Sequence, residues 1–204
     1  MTATDYRNRA RAAMGQNWNT LALIALVYTA ITTGVSAVLP SVGSLVVLLV
    51  EGPFLLSWAI ISLGTVRGAV YKVENLFDGF KNFVPSFLLN LVNGIFVALW
   101  SLLFVIPGIV KAYSYSMSTF ILAENPAMDQ ADARRTSVVM MEGHKWRLFC
   151  LDFSFIGWHL LSALTLGILS LWVTPYVQTA HAAFYEDVRA QYIARTAAAN
   201  PAQP

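Results

Sequence analysis

An all-α bundle embedded in a membrane is what this sequence predicts, and three observations carry the prediction. The chain is 57% hydrophobic and only 12% charged, about half the charge of an ordinary soluble domain at roughly 25%. Its apolar residues gather into runs near the twenty or so that cross a bilayer as a helix. Its Lys and Arg fall between alternate runs, on one side of the membrane that such a threading defines.

A chain of 204 residues accommodates about six transmembrane helices, here with one cytoplasmic surface helix. Residues 1–190 read as a single bundle domain and 191–204, rich in alanine, as a disordered tail. One cysteine, Cys150, excludes an intramolecular disulfide and a cysteine-built metal site. No metal or cofactor is expected. A net charge of +2 is too small to point to nucleic acid. Trp18, Trp58, Trp100, Trp146, Trp158 and Trp172 all stand near ends or bends of apolar runs, where interfacial belts place them.

Taken in order, Met1 to Gln16 carries Arg7, Arg9 and Arg11 at a spacing that suits an amphipathic helix lying on anionic head groups. Trp18 to Leu39 is the first span. Val35-Ser36-Ala37 resembles a signal-peptide cleavage site, but the later spans already commit the chain to the membrane. A turn over 40–44 follows. Leu45 to Val50 is apolar and runs into Glu51-Gly52-Pro53. Either one helix continues from Ser44 with Glu51 inside the bilayer, or the span starts at Pro53 and ends near Tyr71. The second is preferred, because proline suits a first helical turn and an acid before it complements the helix dipole.

Phe77, Phe80 and Phe83 recur beside Asp78 and Lys81, the pattern of an interfacial half-turn. The third span runs from Pro85 to Ile106, reverses at Pro107-Gly108, and returns as a fourth over Ile109 to Ala123, only about 23 Å long. Asn125-Pro126 reads as a cap and first turn for the surface helix, which runs to about Met141 and stops at Gly143. His144, Lys145 and Arg147 around Trp146 form a basic collar. The fifth span extends to Leu164. The sixth runs from Ile168 to about Val188, kinked at Pro175.

Charge orients this threading. With the amino terminus in the cytoplasm, six spans return the carboxyl terminus there, and of thirteen Lys and Arg every one but Lys111 falls on the cytoplasmic side, as the positive-inside rule requires. Gly15, Gly79 and Gly143 stand at equal intervals, each just before an inward-to-outward span. That spacing fits a threefold parallel repeat or a coincidence among interfacial residues.

Ionisable and polar groups within spans mark candidate sites. Lys111, Tyr115 and Ser118 share one face of the fourth span, as an anion or head-group site or as a snorkelling lysine with hydroxyls bonded to helix carbonyls. Glu51 is the second candidate. Asp152 and His159, two turns apart on the fifth span, could relay protons, or Asp152 could pair with Arg147 or Lys145. His181 and Tyr185 read as packing or interfacial residues. Gly94 and Ala98 are small enough for a close helix contact. Arg134, Arg135, Lys145 and Arg147 are expected to contact anionic lipid head groups. The partners expected are membrane lipids, anionic on the cytoplasmic face, with a second copy or another membrane protein. No zinc-protease, nucleophile-elbow or phosphate-loop motif appears. A non-catalytic binding, scaffolding or envelope-maintenance role is therefore expected before an enzyme, with a small transporter of a lipid head group or charged solute as the alternative.

Phe77–Phe83 (FDGFKNF), Leu99–Met117 (LWSLLFVIPGIVKAYSYSM), Ile121–Pro126 (ILAENP), Met140–Phe149 (MMEGHKWRLF), Leu161–Ile168 (LSALTLGI) and Pro175–Asp187 (PYVQTAHAAFYED) together resemble one family. It is the bacterial multi-pass membrane family called domain of unknown function 975. The resemblance implies an integral protein of the bacterial cytoplasmic membrane with no assigned activity. The hairpin and collar are also distantly similar to the membrane domain attached to some glycerophosphodiester phosphodiesterases, whose catalytic barrel this sequence lacks. The resemblance also implies a usually uncharged residue before Gly52-Pro53, a pattern from which Glu51 departs.

Overall fold

The computed structural model describes residues 1–39 and 43–199, which form helices and no strand among the described residues. Helix α1, Ala3–Met14, opens with a capping box: Thr2 N–H donates to Asp5 at 2.6 Å and Asp5 N–H donates to the Thr2 hydroxyl at 3.4 Å. Its Tyr6, Ala10 and Met14, spaced by four, are buried against the long last helix, α10, Ser170–Ala199. This corrects the expectation of a helix lying on head groups. Its inner stripe belongs to the core, Arg9 stands on the exposed face, and Arg7 and Arg11 lie along the border, over the Phe155 and Tyr176 rings.

Helix α2 is Trp18–Val38. The turn expected at 40–44 lies partly outside the described residues. Helix α3, Gly43–Val66, runs unbroken through Glu51 and Pro53, so the span is neither started by Pro53 nor carried to Tyr71. Proline in a helix costs about 3 kcal/mol. Buried Phe54, Leu56, Trp58, Ile61 and Leu63 follow it, each contributing roughly 1.5–3 kcal/mol, so burial wins. Trp58, expected at an interface, is one of these core residues. The Ser57 hydroxyl donates to the Pro53 carbonyl at 3.1 Å and accepts from Gly79 N–H at 2.8 Å. That pair of bonds pins a 3-10 segment, Val73–Asn82, along α3. Phe80 meets Phe54 edge-on at 5.0 Å there.

The hairpin reverses at Phe104, which is extended (φ −156°, ψ 137°) between α4, Phe83–Leu103, and α5, Val105–Tyr115. Pro107 and Gly108 thus sit in the first turn of α5 rather than at the tip, the position where proline's missing N–H costs nothing. The return strand of the hairpin breaks again at Ser116–Met117 before α6, Ser118–Glu124, so the fourth span predicted over 109–123 is two helices. Helix α7, Gln130–Met140, is capped by Asp129, which accepts from Ala131 N–H at 3.0 Å, and not by Asn125-Pro126. The fifth span is also divided, into α8, Lys145–Phe153, and α9, Ile156–Leu164. Helix α10 passes through Pro175, whose carbonyl accepts from Thr179 at 2.7 Å. It stays helical through 191–199, where a disordered tail is predicted.

Four stretches are long and apolar enough to cross a membrane: Trp18–Val38, Val46–Val66, Val73–Leu102 and Lys145–Leu164. The broken α5–α6 pair and the polar-seamed α10 fall short of that measure, which is where four parts from the expected six. The element order nevertheless repeats three times: a short segment (α1, 73–82, α7) followed by two helical stretches (α2 and α3, α4 and α5–α6, α8–α9 and α10). Gly15 and Gly143 mark two of the joints with positive φ, 41° and 78°. Gly79 does not; it is a close contact against α3.

Burial divides the molecule along its helices. The later half of α3, α6, and Tyr176–Val188 of α10 are packed inside. Leu48, Leu102, Val105, Ile106, Leu164 and Leu166 are exposed at the other end. Apolar side chains turned outward around a thin interior are what a helix bundle presents to lipid.

Candidate functional site

Three polar constellations lie on α10 and grow deeper in order. The outermost is built on Tyr185-Glu186 and Arg189. Glu124, at the end of α6, accepts from Arg67 Nη2, from Arg189 Nε at 2.6 Å and from the Tyr185 hydroxyl at 2.7 Å, while Arg67 Nε donates to Glu186 at 2.7 Å. The ends of α3 and α6 are thereby tied to the middle of α10. Burial works to raise the Glu124 pKa. The bonds from Arg67 and Tyr185 and the Arg189 charge outweigh it, so the carboxyl lies below its ordinary range.

Beside it, Asp187 accepts from Arg147 Nη2 at 2.6 Å and from the Tyr6 hydroxyl at 2.5 Å, and Arg147 also donates to Tyr6. This joins α1, α8 and α10. Arg147 Nη1 donates to His144 Nδ1 at 3.0 Å, which leaves that imidazole neutral. Burial, with Arg147 and Arg195 nearby, holds His144 below the ordinary histidine pKa.

The third constellation lies on α8 and on α10, at His181, six residues before Asp187, about 9 Å at 1.5 Å per residue. Asp152 accepts from the Tyr113 hydroxyl at 2.9 Å and stands 2.6 Å from His181 Nε2. These three side chains close the polar end of a cleft of about 490 Å³ between α5 and α8, whose apolar walls include Ile109, Ala112, Leu148 and Phe149. Ser116, at the break between α5 and α6, donates to the Tyr113 carbonyl at 2.8 Å and, with His181, lines a second pocket of about 170 Å³ that also includes Leu55 and Gln178.

The residues singled out from sequence are placed as follows. Lys111, Tyr115 and Ser118 do share a face, turned onto α4: Lys111 Nζ lies 5.2 Å from the Trp100 ring, Tyr115 packs on Phe96 at 6.4 Å, and Ser118 accepts from Asn93 at 2.9 Å. They close the hairpin and line no part of the cleft. Glu51 is half-buried in an open groove of about 320 Å³ with Asn90 and Gly94. Asp152 and His159 are not brought together, because the turn at Ser154–Phe155 rotates α9 and leaves His159 exposed.

The partner of Asp152 is His181, expected only to pack. Its distance along the chain gives no periodic signal. Of the expected lipid-contact residues, Arg147 is held by Asp187, Arg135 pairs with Asp132 at 3.3 Å and Arg134 stacks 5.1 Å from the Phe96 ring. Lys145 borders a small apolar pocket with Trp146 and Ile109.

Comparison with known proteins gives one family. The profile described as protein of unknown function (DUF975) matches residues 1–114 and 102–192. No curated protein and no solved structure matches, so the likeness to the phosphodiesterase membrane domain has no support from these comparisons.

Proposed function

We propose, for a chain that belongs to the DUF975 family of unknown function, a non-catalytic role in the bacterial cytoplasmic membrane: binding an amphiphile in the cleft between α5 and α8. Six crossings, with both termini in the cytoplasm, are part of this reading. One observation carries it. The cleft is apolar along its walls and ends on the hydrogen-bonded set Tyr113, Asp152 and His181, which matches a molecule with an acyl portion and a hydrogen-bonding head. Exposed Ile109 and Phe149 flank its mouth, so entry is lateral, from lipid. The carboxylates of the outer constellations are already held by arginines and serve helix-to-helix contacts rather than chemistry.

The test uses the full chain in proteoliposomes with a photoactivatable phosphatidylethanolamine. Crosslinks should concentrate on 105–116 and 145–153, and Asp152→Asn with His181→Gln should lower them several-fold. Equal labelling of parent and double variant overturns the reading. Transport is the second reading, favoured by the inward pocket that shares Ser116 and His181 with the cleft. Flux of a charged solute, lost in Asp152→Asn, would decide for it.

A further inference from the structure

Among the described residues, Arg7 and Arg11 donate to no carboxylate and make no side-chain hydrogen bond, yet neither is loose. They stand one turn apart on α1. The Arg7 guanidinium lies 5.6 Å from the Phe155 ring and the Arg11 guanidinium 6.0 Å from the Tyr176 ring. The Tyr176 hydroxyl donates to the Arg7 carbonyl at 3.3 Å, which fixes α1 against this aromatic floor. Trp18 and Trp158 pack on the same Tyr176, at 5.5 and 6.5 Å. Arg7 Nε is buried with no acceptor.

A guanidinium held over a ring face by cation–π attraction still has its N–H donors to offer to an acceptor. Two such groups one turn apart present a fork of donors with no acid to satisfy them. A buried N–H without an acceptor is unfavourable, and an oxyanion is the natural acceptor for planar arginine donors. Arg7 and Arg11 stand just before Trp18, where the first apolar span begins. Tryptophans favour that level of the bilayer, and it is also where lipid phosphates lie.

We infer that Arg7 and Arg11 form a binding site for one phosphate group, supplied by an anionic phospholipid head group. The site is separate from the α5–α8 cleft and stands or falls independently of it. It also differs from the collar, where Arg147 and Arg135 are already held by carboxylates. Arg9, on the same helix and exposed, lies over no ring among the described residues, unlike Arg7 and Arg11, and is not part of it.

Native mass spectrometry of the purified full chain, equilibrated with micelles of phosphatidylglycerol or phosphatidylcholine, tests the site. The parent should retain phosphatidylglycerol preferentially. Arg7→Gln with Arg11→Gln should lower that retention by about fivefold for each arginine, while Arg9→Gln should match the parent. Arg7→Lys with Arg11→Lys keeps the charge but not the fork, and should lose at least half the retention, which keeps the inference testable if the glutamine variant misfolds. Equal retention in the lysine variant, or an equal loss in Arg9→Gln, overturns it. Thermal stabilisation by millimolar inorganic phosphate in the parent, absent in the double variant and without any phosphatidylglycerol preference, would assign the site to a free anion and overturn the lipid reading.

Discussion

Glu124 gathers donors from Arg67, Tyr185 and Arg189, so it is the residue at which stability should respond most to acid. Its folded pKa lies below the ordinary 4.5. The unfolded chain therefore takes up a proton first. The stabilisation is complete above that value and is lost as pH falls through the folded pKa. His144 lies below its ordinary 6.5, and the same sign applies: the unfolded chain protonates first, so stability starts to fall once pH drops below that value. The melting temperature in detergent should be highest near neutrality and fall in two stages. His144→Gln should remove the upper stage, and Glu124→Gln should make the lower one shallower, because Asp187 is also held below its ordinary range and keeps its share. Glu124→Gln should also cost about 2 kcal/mol at neutral pH, between the values for exposed and buried ion pairs, because its arginines are partly open to solvent. A melting curve equally steep in acid for Glu124→Gln would remove Glu124 from this role. Residue types were legible here and partners were not. Arg147, His144 and the Phe-Tyr-Glu-Asp run stand out in the sequence, but which acid meets which arginine depends on helix ends far apart in the chain.

At the scale of elements, glycine contacts decide where helices approach. A Cβ on Gly79 would lie 2.0 Å from the Pro53 carbonyl oxygen and 2.8 Å from Ser57 N, backbone atoms that cannot move aside. Gly79→Ala should cost about 1–3 kcal/mol and release the 73–82 segment, seen as faster amide exchange there. Gly94, read from sequence as half of a close-packing pair, meets nothing within 4 Å. Gly94→Ala should be neutral or stabilising by about 0.5–1 kcal/mol. If both variants melt alike, the docking of 73–82 on α3 is wrong. The close crossings are instead at Gly52, against Ser86 and Phe87, and at Gly108, against Ser101. Hydropathy runs and prolines located the apolar segments well. They did not show the breaks at Ser116–Met117 and Ser154–Phe155, which carry no glycine or proline and are set by packing between helices. The first break places Ser116 on the lining of the cleft, and past the second His159 stands exposed rather than beside Asp152.

For the molecule as a whole, the amino-terminal helix and the polar half of α10 meet directly, through Tyr6 and Asp187. The ends of α3 and α6 join α10 through Arg67 and Glu124. The three returning helices therefore finish at one face, and the hairpin tip at Phe104 and the 164–168 turn stand among the exposed apolar residues at the other. This geometry accords with the charge asymmetry expected from a six-span threading, which would leave only Lys111 off the basic side. It makes a definite topological prediction. With Cys150 replaced by alanine, single cysteines at Thr165 and Glu142, both exposed, report the two faces. Ser137 cannot serve, because it is buried and donates to the Ser114 carbonyl at 2.8 Å, so it would resist labelling on either side. An impermeant maleimide applied to intact cells should modify Thr165→Cys, and should reach Glu142→Cys and Thr196→Cys only after the membrane is opened. Labelling of Glu142→Cys from outside would invert the molecule. Equal labelling of Thr165→Cys and Glu142→Cys would place both faces on one side, and α8–α9 would then not cross the membrane.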